Sequence, residues 1–182
     1  MFFPQQGGWT EADYFALEGG PLVEFDNGFI EVLDLPTKEH QRIVQCLLFL
    51  LASHIRERDL GEVFVAPLPI RLWPRKYREP DVVYLAHGRS ETDGYSNGAD
   101  LAIEVLSPGA ENRRRDQVIK VDEYAKAGIS EYWIVDTEER RITVLTLHDD
   151  HYVVHGNFND TETAISKLLP DFRVPVAKAL TP

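Results

Sequence analysis

Two carboxylates stand where an apolar core would ordinarily exclude them. Asp81 opens the run "DVVYLA" straight after Glu79-Pro80, and Glu104 interrupts the strand-like "LAIEVL". If the two runs form neighbouring strands, both acids project from one edge of a sheet. Buried together without a counter-charge they would repel, and a desolvated carboxylate takes up a proton instead. A divalent cation removes that conflict. Two hard oxygen ligands, with water and substrate phosphate completing the shell, suit Mg²⁺, whereas the sequence has no Cys/His spacing that suits zinc. Each acid also has an ordinary reading. Asp81 after a proline can begin a strand and cap local amides, and Glu104 can face solvent from an edge strand, although an inward carboxylate is costly unless paired or metal-bound.

A cation with the right reach lies one element further on. In "RRRDQVIKVDEYAKAG" the residues Asp116, Lys120 and Tyr124 are spaced i, i+4, i+8 and share one helix face. That helix begins just after the Glu104 strand, so the face can lean back over its end. The Lys120 ammonium would then lie beside a metal-bound water and a phosphate, orienting the nucleophile and offsetting negative charge. The plainer alternative is a surface ion pair, since acid before base at i, i+4 is the favourable order.

The elements that would position these groups are readable from turn chemistry and periodicity. Thr10, with Asp13 three residues on, predicts a short first helix closed at Gly19-Gly20. "LVEFDNGFIEVLD" reads as two strands about Asn27-Gly28. The stretch from Thr37 to Gly61 keeps Ile43, Leu47, Leu50 and Leu51 on one face and predicts the main core helix. "EVFVAPLPIRLW" and "REPDVVYLA" carry further strands, and "HGRSETDGYSNGAD" reads as a polar loop. After "LAIEVL" come the second helix, closed by Gly128, and the strands "EYWIVD", "RITVLTLHD" and "HYVVHG". The strand-helix-strand unit predicts a parallel, right-handed crossover.

Size and charge set limits. The 182 residues and 43% hydrophobic content fit one domain spanning 1–182. The single cysteine, Cys46, excludes an intrachain disulfide, suits a reducing cytoplasm and reads as a buried thiol. The longest apolar run is too short to cross a bilayer and no leader pattern opens the chain, so we expect a cytoplasmic protein without a membrane partner. Thirty acidic against nineteen basic residues give a net charge of −11, which disfavours non-specific adhesion to nucleic acid. Two basic clusters, Arg71 to Arg78 and Arg113 to Arg115, are either solvated surface or phosphate contacts.

"EPDVVYL", "ADLAIEVLSP" and "RRRDQVIKVDEYAKAGISEYWIVD" together resemble the Uma-two family of the PD-(D/E)XK nuclease superfamily, and "LVEFDNGFIEVLD" and "HQRIV" extend the likeness over most of the chain. The resemblance implies an α/β (mixed α+β) fold. Its core would be restriction-endonuclease-like, a mixed central sheet flanked by helices, with an N-terminal hairpin and C-terminal strands. It implies a metal-dependent nuclease acting on DNA and leaving a 5′-phosphate. Asp81 and Glu104, with the Val105 backbone carbonyl, would bind Mg²⁺ or Mn²⁺. The superfamily's standard pattern puts the catalytic lysine two places after the second acid. Leu106 occupies that place here, and a lysine supplied by the next helix, Lys120, is the matching alternative, which would orient or help deprotonate the attacking water.

Glu24 and His40 match recurrent family positions and are secondary candidates with Asp116 and Tyr124. Tyr124 would support the substrate phosphate or pack beneath the site. His40 is either a hydrogen-bonded core histidine or an active-site group. Tyr132 and Trp133 read as packing residues. Cutting both strands of a duplex calls for two sites, so a homodimer is expected. Two further readings stand beside the nuclease: a nuclease-fold protein without turnover that binds DNA or regulates a partner, and an interaction protein whose charged groups form internal ion pairs.

Overall fold

Thr10 caps the first helix as its spacing to Asp13 predicts. In the computed structural model, which describes residues 4–17, 22–89, 91, 92 and 94–181, Thr10 Oγ1 accepts from the Asp13 amide at 3.1 Å and Asp13 Oδ2 from the Thr10 amide at 2.9 Å. This capping box starts α1 (Glu11–Phe15). The Gly19-Gly20 stop lies outside the described residues. β1 (Val23–Asp26) and β2 (Phe29–Val32) pair antiparallel about Asn27 and Gly28. Their φ of 52° and 97° are the positive pair that a two-residue hairpin needs to match strand twist.

α2 (Lys38–Arg58) begins where Thr37 Oγ1 accepts from the His40 amide at 3.1 Å. Ile43, Leu47 and Leu51 are buried along its core stripe, with Leu50 half-buried beside them. Cys46 sits on the flank of that stripe and is half-buried rather than buried, with Sγ 3.7 Å from the Lys178 carbonyl oxygen. The helix stops short of Gly61 because Asp59 takes the left-handed conformation, φ 50° and ψ 53°. Gly61, at φ +142°, instead begins β3 (Gly61–Val65), where a Cβ would stand 2.1 Å from the Leu85 carbonyl oxygen.

β4 (Ile70–Trp73), β5 (Lys76–Arg78) and β6 (Val82–Ala86) follow. The polar stretch read as a loop carries two short strands, β7 (Glu91–Thr92) and β8 (Tyr95–Asn97). Backbone pairing creates them: Ser96 and Asn97 pair with Ile70 and Arg71. Arg89 also grips Asp100 through Nε at 2.6 Å and Nη2 at 2.7 Å. β9 (Leu101–Val105) leads into the second helix, which has three parts: α3 (Ala110–Arg114), a π-turn (Arg115–Ile119) and α4 (Lys120–Lys126). Then come β10 (Glu131–Asp136), β11 (Arg141–His148), β12 (His151–Asn159), β13 (Thr163–Ile165), β14 (Arg173–Pro175) and α5 (Val176–Leu180). No helix among the described residues is long and apolar enough to cross a membrane.

The fold is mixed α/β, with helices flanking mixed sheets. One six-stranded sheet runs β12-β11-β10-β9-β6-β3, and a second runs β2-β1-β5-β4-β8-β7. β9 and β10 are parallel across the second helix, the expected crossover, while β6 and β9 are antiparallel.

Strand alternation divides the first sheet cleanly. Leu101, Ile103 and Val105 join Val82, Tyr84 and the α2 stripe in one apolar cluster. Ala102, Leu106 and Val83 join Tyr124, Tyr132 and Ile134 in the other. Glu104 therefore belongs to the α4 face, between Ala102 and Leu106. Tyr132 and Trp133 are fully buried packing residues, as their place in a strand predicts.

Candidate active site

Register places the two acids first. Val82 pairs with Ile103 and Val83 with Ala102, so the same register carried back one residue sets Asp81 opposite Glu104. Glu104 shares the side of Ala102, on the α4 face, while Asp81 stands just before β6 and its contacts place it at the strand ends. Asp81 Oδ2 accepts from the Val105 amide at 2.7 Å. This is the amide-capping role considered for it, and it brings the carboxylate to the end of β9.

Lys120 reaches Glu104 from the helix. Its Nζ lies 2.8 Å from Glu104 Oε1, 3.1 Å from Glu24 Oε1 and 3.4 Å from Asp116 Oδ1. Tyr124 OH donates to the same Glu104 Oε1 at 2.7 Å. None of Glu24, Asp116, Lys120 and Glu104 is more than 4% exposed, so the Asp116–Lys120 pair is no surface ion pair. The π-turn supplies the register. It ends at the Lys120 boundary, and Tyr132 OH donates to the Asp116 carbonyl oxygen at 2.9 Å, bracing the widened turn against β10. Tyr124 is fully buried, with its hydroxyl on Glu104.

His40 stands at the opposite rim. Its Nε2 is 3.1 Å from the Val105 carbonyl oxygen and 3.3 Å from Asp81 Oδ2, two acceptors that call for a proton on Nε2. Of the secondary candidates, His40 thus meets Asp81 directly, and Glu24 is joined to Glu104 through Lys120. Burial works against a charged imidazole, but the bonds to Asp81 and Val105 outweigh it and raise the His40 pKa.

The charges are not balanced evenly. Burial pushes Glu104 well above the usual carboxylate range; Lys120 opposes the shift, while Asp116, Asp81 and Glu24 add to it. Burial also acts on Glu24, yet Lys120 and Arg78 overcome it and hold that carboxyl at about 2. For Lys120, burial is outweighed by Glu104, Glu24 and Asp116, so its pKa is raised and the ammonium stays protonated. Burial pushes Glu79 up to about 7, and its Oε2 is buried without a partner among the described residues.

Sequence patterns missed part of this centre. Arg78, in a cluster read as surface or phosphate-binding, is internal: Nη1 meets Glu24 Oε2, and Nε and Nη2 meet Glu123 at 2.8 and 3.0 Å. Lys76 is also internal, 2.6 Å from Glu123. Arg113 pairs with Asp136 at 2.6 Å, whereas Arg115, 3.1 Å from Asp116, does line the site. Adjacency of Arg78 and Glu79 to Asp81, and the i, i+3 step from Lys120 to Glu123, were the available signals.

His40, Glu79, Asp81, Glu104, Val105 and Lys120 line one cleft of about 80 Å³, room for a cation and a water or two. Asp34, His40, Val105 and Ser107 also border a neighbouring hollow of about 380 Å³. Among the described residues no group of three His, Cys, Asp or Glu stands ready as a metal cage. The donors nonetheless suit a hard cation. Asp81, Glu104 and the Val105 carbonyl offer oxygen atoms, Glu104 is buried with incomplete compensation, and Glu79 Oε2 has no partner among the described residues.

A family model described as "Uma2: Putative restriction endonuclease" matches residues 11–177. No curated protein matches the chain. Among solved structures, the crystal structure titled as a putative nuclease belonging to DUF820 from Anabaena variabilis ATCC 29413 superposes with a TM-score of 0.72. It is 17% identical, over 98% of each chain. That likeness is one of fold.

Proposed function

This chain belongs to the Uma2 family, and on that premise we propose that it is a metal-dependent endonuclease that hydrolyses phosphodiester bonds in DNA. The observation that carries this reading is Lys120 bonded to Glu104, with Asp81 across the strand pair, despite Leu106 in the superfamily's usual lysine place.

Asp81, Glu104 and the Val105 carbonyl are the residues that would hold Mg²⁺ or Mn²⁺. A bound divalent cation supplies Lewis acidity toward the phosphate and lowers the pKa of its water. Lys120, whose ammonium stands among Glu104, Glu24 and Asp116, orients or helps deprotonate the attacking water and offsets charge that develops on the phosphate. Asp116 and Glu24 position Lys120, Tyr124 fixes Glu104, and His40 braces the Val105 carbonyl and Asp81. The protein would act in the cytoplasm as a homodimer, two sites being needed to cut a duplex.

A second reading, a nuclease-fold protein without turnover that binds DNA or regulates a partner, draws on the saturation of Lys120 by three acids. Incubation with plasmid and single-stranded DNA separates the two. Strand scission that requires Mg²⁺ or Mn²⁺ and stops with chelator supports the nuclease. Intact DNA under every condition favours the second reading.

A further inference from the structure

We propose that Arg78 is a positioning residue of this centre: by gripping Glu24 and Glu123 together, it fixes where the Lys120 ammonium stands. Its kinetic consequence rests on the nuclease reading above; the geometry does not.

Arg78 ends β5 and is 3% exposed. Its fork takes both oxygens of Glu123, Nε to Oε2 at 2.8 Å and Nη2 to Oε1 at 3.0 Å, while Nη1 meets Glu24 Oε2. Glu24 divides its oxygens, because Oε1 faces Lys120 Nζ at 3.1 Å. Glu123 and Lys120 lie on the same helix, one turn apart. The contacts therefore close a ring: Arg78 to Glu24, Glu24 to Lys120, along α4 to Glu123, and back to Arg78.

A lysine stem has four rotatable bonds and three carboxylates to choose among here. The ring limits that choice by holding Glu24 Oε2, and with the Glu79 amide 3.3 Å from Oε1, that oxygen shares Lys120 with Glu104 instead of capturing it. A point charge cannot replace the planar fork, which needs three donors in fixed directions. Lys76 Nζ, 2.6 Å from Glu123, keeps that acid paired if the fork is lost. Arg78→Lys thus removes the positioning while leaving Glu123 a counter-ion.

The full-length protein is compared with Arg78→Lys by two readouts. The first is the ¹⁵Nζ resonance of Lys120, assigned by its loss in Lys120→Ala. The second is plasmid nicking with Mn²⁺, resolved into kcat and KM. We expect the resonance to move or broaden away, and kcat to fall by about 10- to 100-fold with KM little changed. A resonance at its wild-type position, or nicking at the wild-type kcat, overturns the proposal. If Arg78→Lys does not fold, Glu24→Asp takes its place, because the shortened arm cannot span Arg78 and Lys120. The same shift and the same fall in kcat are then expected, and wild-type values of either overturn the proposal. If the wild type nicks nothing, the nuclease reading fails, and the resonance alone decides the positioning.

Discussion

Lys120 Nζ lies 2.8 Å from Glu104 Oε1, although the two residues are separated by 16 positions and stand on different elements. Leu106 shares the α4 side of β9 with Glu104 but is buried in the apolar cluster with Tyr124 and Ile134. The cation at Glu104 comes instead from the helix after the strand.

Loss of Lys120 should affect rate and stability together. Lys120→Ala is expected to lower kcat by about 10²- to 10³-fold, the scale for removing one preorganised donor. It should also destabilise the metal-free fold by about 3–5 kcal/mol, because Glu24, Glu104 and Asp116 lose their shared counter-charge. Nicking rates and urea unfolding measure the two effects. Unchanged unfolding would contradict the buried network.

Divalent cation should stabilise the protein through Asp81 and Glu104. At a hundredfold excess over Kd the gain is about 2.7 kcal/mol, visible as a rise in Tm, and Asp81→Asn should abolish it. Burial raises Glu104, so a proton competes with the cation, and Mn²⁺ affinity should increase as pH rises through neutrality, by up to about tenfold per pH unit. An affinity independent of pH would exclude Glu104 as a ligand.

Glu79 makes a separate pH prediction. Its folded pKa is raised from 4.5 to about 7, so the folded state binds the proton more tightly than the unfolded chain does. The resulting stability is fully present below pH 4.5 and is lost as pH rises to about 7, a change of about 3 kcal/mol. Glu79→Gln should remove that slope. Parallel unfolding curves for the two proteins from pH 4.5 to 7 would show that Glu79 is not held neutral.

Much of the fold was legible because it is local. Thr10, Thr37 and Asn27-Gly28 act through caps and turn conformations within a few residues, and strand alternation put Glu104 beside Leu106. Asp116, Lys120 and Tyr124 were correctly grouped on a helix face, although the π-turn that tunes their register left no sequence signal. What stayed hidden depends on long-range pairing. β7 and β8 exist because a neighbouring strand completes their hydrogen bonds. Arg78 is buried because Glu24 and Glu123 reach it from 54 and 45 positions away. A basic cluster in a sequence cannot disclose partners that only the folded chain brings near.

The central claim, that Asp81, Glu104 and Lys120 form one metal-dependent hydrolytic centre, is tested most directly by nicking of supercoiled plasmid with Mn²⁺. Wild type, Glu104→Gln and Lys120→Ala would be measured side by side. Nicking by the wild type, abolished by chelator and by Glu104→Gln and reduced by at least about 100-fold in Lys120→Ala, is the predicted result. Nicking by Glu104→Gln at the wild-type rate would contradict the account.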